Sequence, residues 1–205
     1  ARLSAEGRRN AHTLHLVAEG LDGDRIDLAL DGGIALTGKA PPRWQGQLTA
    51  LTTAGRLPLK LKAPATLELA ADVVQLGVAD LDAAKKGRIP LAETHWSPAD
   101  SVLRGSLSGL AFGLVTRADG RPRRGPGPLV LGADWDLRLR DTIEGEARLF
   151  REAGDLTVEG EIRTRLGLEH FETRLVARGN RLALALAARG SELGELSATA
   201  TAQAE

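Results

Sequence analysis

Cysteine, methionine and tyrosine are absent from these 205 residues, and phenylalanine and tryptophan occur three times each. Without cysteine there is neither a disulfide framework nor a thiolate metal site. That absence fits the cytoplasm and an envelope compartment equally. With so few aromatic residues, the large anchors that dominate protein-binding hot spots are scarce. An excess of charge of either sign is also missing: 27 Lys and Arg stand against 27 Asp and Glu. No net field therefore draws the chain to nucleic acid or to an anionic surface. No run approaches the eighteen or so consecutive apolar residues of a spanning helix, and no signal-peptide layout is visible. A start in mid-pattern, without methionine, reads as an excised or processed piece of a longer protein, with any membrane anchor outside it.

What is present is strict alternation of apolar and polar residues. In residues 155–169 the apolar Leu156, Val158, Ile162, Leu166 and Leu168 hold even positions. Thr157, Glu159, Glu161, Arg163, Arg165 and Glu169 fill the odd ones. The same parity groups Ile26, Leu28 and Leu30, then Ile34 and Leu36, then Leu57, Leu59, Leu61 and Ala63. It returns at Ile143, Ala147 and Leu149, and at Leu182, Leu184 and Leu186. Successive side chains of a strand point to opposite faces, so each set predicts a strand with one greasy and one charged side. Helical spacings of three and four fit no window of helical length better. The expected fold class is all-β, a long antiparallel meander with little helix.

Turn chemistry divides the strands. LDGD at 21–24, DGG at 31–33, EAGD at 152–155 and RGN at 178–180 supply residues that tolerate positive φ in hairpins. Prolines in KAPPRW at 39–44 and KAPA at 62–65 cannot donate to a ladder and predict breaks. RADGRPRRGPGP at 117–128 has no periodicity and reads as an exposed loop. One continuous β segment over 1–205 is expected, with a division into 1–116 and 129–205 as the alternative.

A dozen or more one-sided strands must cover their apolar face as a sandwich, a closed barrel or a long sheet folded along its length. Roughly fifteen strands at about 4.8 Å spacing would give a trough on the order of 70 Å long. Its inner wall of Leu, Ile, Val and Ala would suit acyl chains. The pattern alone leaves a closed core and an open trough both standing. Candidate lining residues are Ile26, Leu28, Leu30, Leu57, Leu59, Leu61, Ile143, Leu149, Leu156, Val158, Ile162, Leu166, Leu182, Leu184 and Leu186.

No constellation for chemistry emerges. His12 and His15 form H-x-x-H, yet positions three apart on a strand face opposite sides and cannot clamp one metal. His95 and His170 are isolated. Asp134 and Asp136 share a parity with Glu144 and Glu146 but read as a solvated face. No nucleophile elbow, P-loop or dinucleotide fingerprint occurs. Arg117, Arg121, Arg123 and Arg124 read as a solvated loop, with lipid phosphates or an acidic partner as the sharper alternative. Trp44, Trp96 and Trp135 are core or edge anchors first and groove gates second. No catalytic residue, metal or cofactor is expected.

Residues 129–158 carry Trp135, Asp136, Leu137, Asp141, Thr142, Gly145, Arg151, Gly154, Asp155 and Leu156 in an order that resembles a segment of the TamB/AsmA-like family. There a W-D-L strand leads to a D-T-hydrophobic-x-G turn and an R-x-x-G-D-L strand. Upstream, Trp44, Gly46, Leu48, Gly55, Arg56, Ala63, Pro64 and Leu76 resemble the same family's W-x-G-x-L, Gly-Arg, A-P-A-x-L-E-L and V-x-L-G run. Trp96 and Gly105 fit as well, so the resemblance covers nearly the whole chain. It implies a sheet folded lengthwise into an apolar groove, a β-taco. It also implies a periplasmic location within an inner-membrane-anchored protein. The implied function is phospholipid transport between the two membranes in support of outer-membrane biogenesis, with no enzymatic activity. Phospholipid acyl chains are the implied cargo, and an outer-membrane barrel partner is implied through regions outside this chain. The rival reading is a scaffolding β domain that assists assembly of outer-membrane barrels or autotransporters through exposed sheet edges.

Overall fold

An alternating strand buries only one side, so many such strands in series need a sheet whose apolar residues all choose the same face. The computed structural model describes residues 1–20, 23–36, 41–55, 58–83, 86–112, 129–158 and 164–203. It contains no α-helix among them. The first half carries β1 (Arg2–Arg8), β2 (Ala11–Glu19), β3 (Arg25–Ala35), β4 (Arg43–Ala54), β5 (Leu59–Leu61) and β6 (Ala65–Leu69). Next come β7 (Val74–Leu76), β8 (Ala79–Ala83), β9 (Gly87–Leu91), β10 (Thr94–Trp96) and β11 (Ser101–Phe112). The rest are β12 (Leu129–Leu139), β13 (Ile143–Ala153), β14 (Thr157–Val158), β15 (Thr164–Arg165), β16 (Leu168–Arg178), β17 (Arg181–Gly190) and β18 (Gly194–Gln203). Sixteen of these form one meander sheet, and β14 with β15 forms a separate pair. The all-β antiparallel meander expected from the alternation is the observed fold.

Two compact units divide the chain: Ala1–Gly105 with Arg138–Asp141, and Ser106–Leu137 with Thr142–Glu205. The loop expected at 117–128, with its four arginines, lies outside the described residues.

In the first unit, β5 and β6 run in line along the same side of β4. Thr52 pairs with Lys60 and Leu48 with Ala65, and the line breaks between them at the KAPA proline segment. β7 and β8 are likewise two halves of one line, broken at 77–78, and β9 and β10 are broken at 92–93. These breaks are in register. Lys62 N–H donates to Asp80 O at 2.9 Å, Gly77 N–H to Thr66 O at 2.8 Å and Ala92 N–H to Arg104 O at 3.1 Å. On β4 the same level holds a bulge, because Ala29 pairs with Ala50 but Leu30 with Leu48, leaving Thr49 as the extra residue. Its Oγ1 donates to Ala29 O at 3.1 Å. The bulge and the three interruptions thus share one level across the strands from β4 to β10.

DGG at 31–33 is not a turn but lies inside β3, a correction to the sequence reading. Its glycines serve close approach. A Cβ on Gly33 would lie 2.2 Å from Asn10 O. One on Gly32 would lie 2.7 Å from the Trp44 ring, which also covers the cross-strand neighbour Gly46 at the same distance.

The second unit departs from expectation at 155–169, which is not one alternating strand. β14 and β15 turn off the main sheet, and Leu168 opens β16. Asp155 explains the corner. Its Oδ1 accepts from the N–H groups of Leu156 and Leu168, both at 2.8 Å, and its Oδ2 from Gly167 at 3.1 Å. Gly167, at φ 58°, and Gly154, at φ 81°, supply the left-handed backbone. Arg151 closes the outside, donating to Gly154 O at 2.9 Å and Glu169 O at 3.0 Å. The R-x-x-G-D-L motif is therefore a backbone clamp. Hydrogen bonds to a charged acceptor contribute about 1.5–3 kcal/mol each in favourable cases. Asp155→Ala is expected to lower the unfolding free energy by about 2 kcal/mol or more, measured by urea titration. An unchanged midpoint would count against the clamp.

Candidate functional site

Cross-strand registers turn scattered apolar residues into continuous rows. In the first unit Leu3 pairs with Leu16, Leu16 with Leu28 and Leu28 with Leu51. The Thr52–Lys60 register sets Leu51 beside Leu61, which pairs with Leu81, and Leu81 pairs with Ile89. Seven strands at about 4.8 Å spacing make this row on the order of 29 Å long. A second row runs through Leu14, Leu30, Leu48 and Ala65. At the far end of the strands stand Ile34, Trp44, Leu69, Val74 and Trp96, again in cross-strand register. Leu48, Leu61, Ala65, Ala79 and Leu81 are buried, and Leu28 and Leu30 pack on them.

The expected residues Ile26, Leu28, Leu30, Leu59 and Leu61 do share this face, since Ile26 pairs with Ala18 and Leu59 with Ala83 in the same parity. Ala63 does not join it: it is exposed in the break between β5 and β6. Leu57 lies outside the described residues. Unassigned from the sequence were Leu14, Leu16, Leu51, Leu81 and Ile89. The alternation signalled four of them; Leu51 was hidden because the Thr49 bulge flips the parity of β4.

The second unit repeats the arrangement. Ala147, Leu175, Leu184 and Ala200 form one row, and Leu149, Thr173, Leu186 and Ala198 the next. Ala177, Leu182 and Ala202 follow. Leu129, Leu131, Leu168 and Ala188 are buried, with Leu149, Leu156 and Phe171 packed against them. Ile143, Leu149, Leu182, Leu184 and Leu186 thus share a face, and Leu156 reaches its core from the clamped corner. Leu166 is half-buried in the chain between β15 and β16, its carbonyl accepting from Glu192 N–H at 3.2 Å. Val158 belongs to β14, with its side chain outside the described ones, and Ile162 lies outside the described residues.

The faces are incompletely covered. Among the described residues no large side chain is fully buried, and Ile143, Leu182 and Leu184 remain 42%, 39% and 41% exposed. Trp44 is buried, its indole N–H donating to His12 Nε2 at 2.9 Å, whereas Trp96 is half exposed. Trp135 is half-buried on β12, in the same parity as Leu129 and Leu131.

Charges gather on the opposite face. Arg88 grips Asp80 with Nη2 at 2.6 Å, Arg43 reaches Glu68 at 2.8 Å, and Arg174 holds both Glu146 oxygens at 2.6 and 2.7 Å. Arg148 pairs with Asp134 at 2.8 Å while its guanidinium sits 4.8 Å from the Phe150 ring centre. His15 pairs with Asp27 on that charged side, away from His12. No cluster of three or more metal-ligating side chains occurs among the described residues. The arrangement separates hydrocarbon from charge.

No protein-family model, curated protein or solved structure matches this chain.

Ion pairing sets the acid response. Hydrogen bonds from Gln45 and Arg43 hold the Glu68 carboxyl below its usual range. Arg88 does so for Asp80, Arg140 and then Arg138 for Asp100, and Arg174 for Glu146. Each carboxyl binds its proton less tightly when folded than unfolded. Their stabilisation is therefore present above the ordinary carboxylate value of about 4 and is lost as pH falls through and below it. The urea midpoint is expected to be level between about pH 7 and 5 and to drop below about pH 4. Glu146→Gln should make that drop shallower. A midpoint that rises on acidification would contradict the pairing.

Proposed function

We propose that the apolar faces bind phospholipid acyl chains, and that the chain is a section of a periplasmic, inner-membrane-anchored lipid-transport protein of the TamB/AsmA-like type. The observation that carries this reading is the incomplete cover over Ile143, Leu182 and Leu184. Full burial of a leucine or isoleucine side chain is worth about 1.5–3 kcal/mol, so covering the exposed part of each would return roughly 1 kcal/mol. A closed sandwich would already have taken that gain; an acyl chain is the ligand that takes it without asking for a hydrogen bond.

Dimensions support the same occupant. The bilayer hydrocarbon core is about 30 Å thick, or about 15 Å per leaflet. A leucine-rich row on the order of 29 Å in the first unit therefore exceeds the length of one acyl chain. In this reading the aligned bulge at Thr49 and breaks at Pro64, Val78 and Ala92 are where the sheet is creased into a groove. Charged pairs on the other face keep that side solvated. In this reading the groove conducts lipid between the inner and outer membranes and supports outer-membrane biogenesis without catalysis. A barrel partner would engage regions outside this chain.

The test compares neighbours on one strand. A photo-reactive residue at Leu182 or Leu184 is expected to yield phospholipid adducts on irradiation in cells, whereas Ala183 and Ala185, on the opposite face, yield none. Leu184→Asp should remain folded, because the site is already half open to water, and should lower adduct formation at Leu182. Folded protein with no lipid adduct at the inward pair would overturn the proposal.

A further inference from the structure

One titratable side chain stands on the apolar face of the first unit. His12 shares the parity of Leu14 and Leu16 on β2 and lies opposite Gly7 of β1 and Gly32 of β3, and Gly32 lies opposite Gly46 of β4. Across these four strands the lane therefore holds three glycines and one imidazole. Trp44 covers it: its ring lies over both Gly32 and Gly46, is 8% exposed, and meets His12 with ring centres 6.4 Å apart and planes at 54°. Two hydrogen bonds fix the state of the imidazole. The Trp44 indole N–H donates to Nε2 at 2.9 Å, and Nδ1 lies 3.0 Å from Arg8 O. An indole only donates and a carbonyl only accepts, so the ring carries its hydrogen on Nδ1 and keeps Nε2 bare.

We infer that His12 and Trp44 form a proton-sensitive gate: neutral His12 latches the indole over the glycine lane, and protonation of Nε2 releases it. A second proton on the imidazole goes to Nε2, where it meets the indole N–H and turns the acceptor into a donor. An indole has a single N–H, and the floor beneath this one is backbone, so His12 is its polar tether. No carboxylate on the same face holds the charged state in place. Ala5, Leu14, Leu30 and Ile34 flank the lane there, while Glu6 and Arg8 of β1, His15 of β2, Asp27 and Asp31 of β3 and Arg43 of β4 have the opposite parity. Arg9, in the turn between β1 and β2, adds a further positive charge. Release of the ring uncovers the lane between the row of Leu14, Leu30 and Leu48 and that of Ile34 and Leu69, so acid widens the apolar face by one row. The gate belongs to the free protein and does not depend on what the face binds.

With Trp96 and Trp135 replaced by Phe, Trp44 is the sole indole emitter. The pH is lowered from about 8 to about 5.5, a range in which imidazoles titrate and ordinary carboxylates stay charged. Trp44 emission is expected to shift to longer wavelength and to become open to quenching by acrylamide, while far-ultraviolet circular dichroism holds steady. His12→Gln is expected to abolish the shift, because an amide oxygen accepts from the indole at every pH in that range. His15→Gln, on the charged face, should leave the shift in place. A folded protein whose Trp44 emission stays level throughout overturns the inference. So does a shift that persists in His12→Gln.

Discussion

Every strand must send its apolar residues to one side, and a slip of one residue sends the whole set to the other. That parity constraint governs this chain. It aligns Leu3, Leu16, Leu28, Leu51, Leu61, Leu81 and Ile89 across seven strands of the first unit, and Ala147, Leu175, Leu184 and Ala200 across four of the second. Where parity changes along a strand, a break or bulge absorbs the change: Leu48 and Leu51 face the same way because Thr49 is extra. The breaks between β5 and β6, β7 and β8, and β9 and β10 fall at the level of that bulge.

Parity has a second consequence, electrostatic rather than hydrophobic. By keeping charge off the apolar face it crowds Arg and carboxylate onto the other, where cross-strand distances allow them to pair. Glu146 with Arg174 and Asp80 with Arg88 are direct products of register. Pairs this exposed are screened by salt, so they tune the response to acid and solubilise one side without replacing a core. The core itself is thin, confined to small buried clusters in each unit. A thin core flanked by half-covered leucines is the physical basis for proposing a lipid on the apolar face.

The strands and their faces were legible because alternation is a local signal; Leu28, Leu30, Leu61, Leu182, Leu184 and Leu186 could be placed without knowing any neighbour. Features that depend on relations between strands were not. The proline of KAPA announced a break, but its alignment with Gly77 and Ala92 exists only in the register. Gly32 and Gly33 carry a turn signature, yet they answer to Trp44 and Asn10, residues that sequence proximity does not bring together. The even-numbered leucines at 156–168 imitated a single strand because Asp155, which gathers the N–H groups that turn the chain, looks like any polar residue in an alternating pattern.

The central claim is that the apolar face is open to hydrocarbon. Trp135 reports on it directly, since it shares the parity of the buried Leu129 and Leu131 and is itself only half-buried. With Trp44 and Trp96 replaced by Phe, the fluorescence of Trp135 would be followed as phospholipid with brominated acyl chains is added. The account predicts saturable quenching by chain-brominated lipid and none by a water-soluble brominated headgroup analogue. A folded protein whose Trp135 emission is untouched by brominated lipid would contradict it.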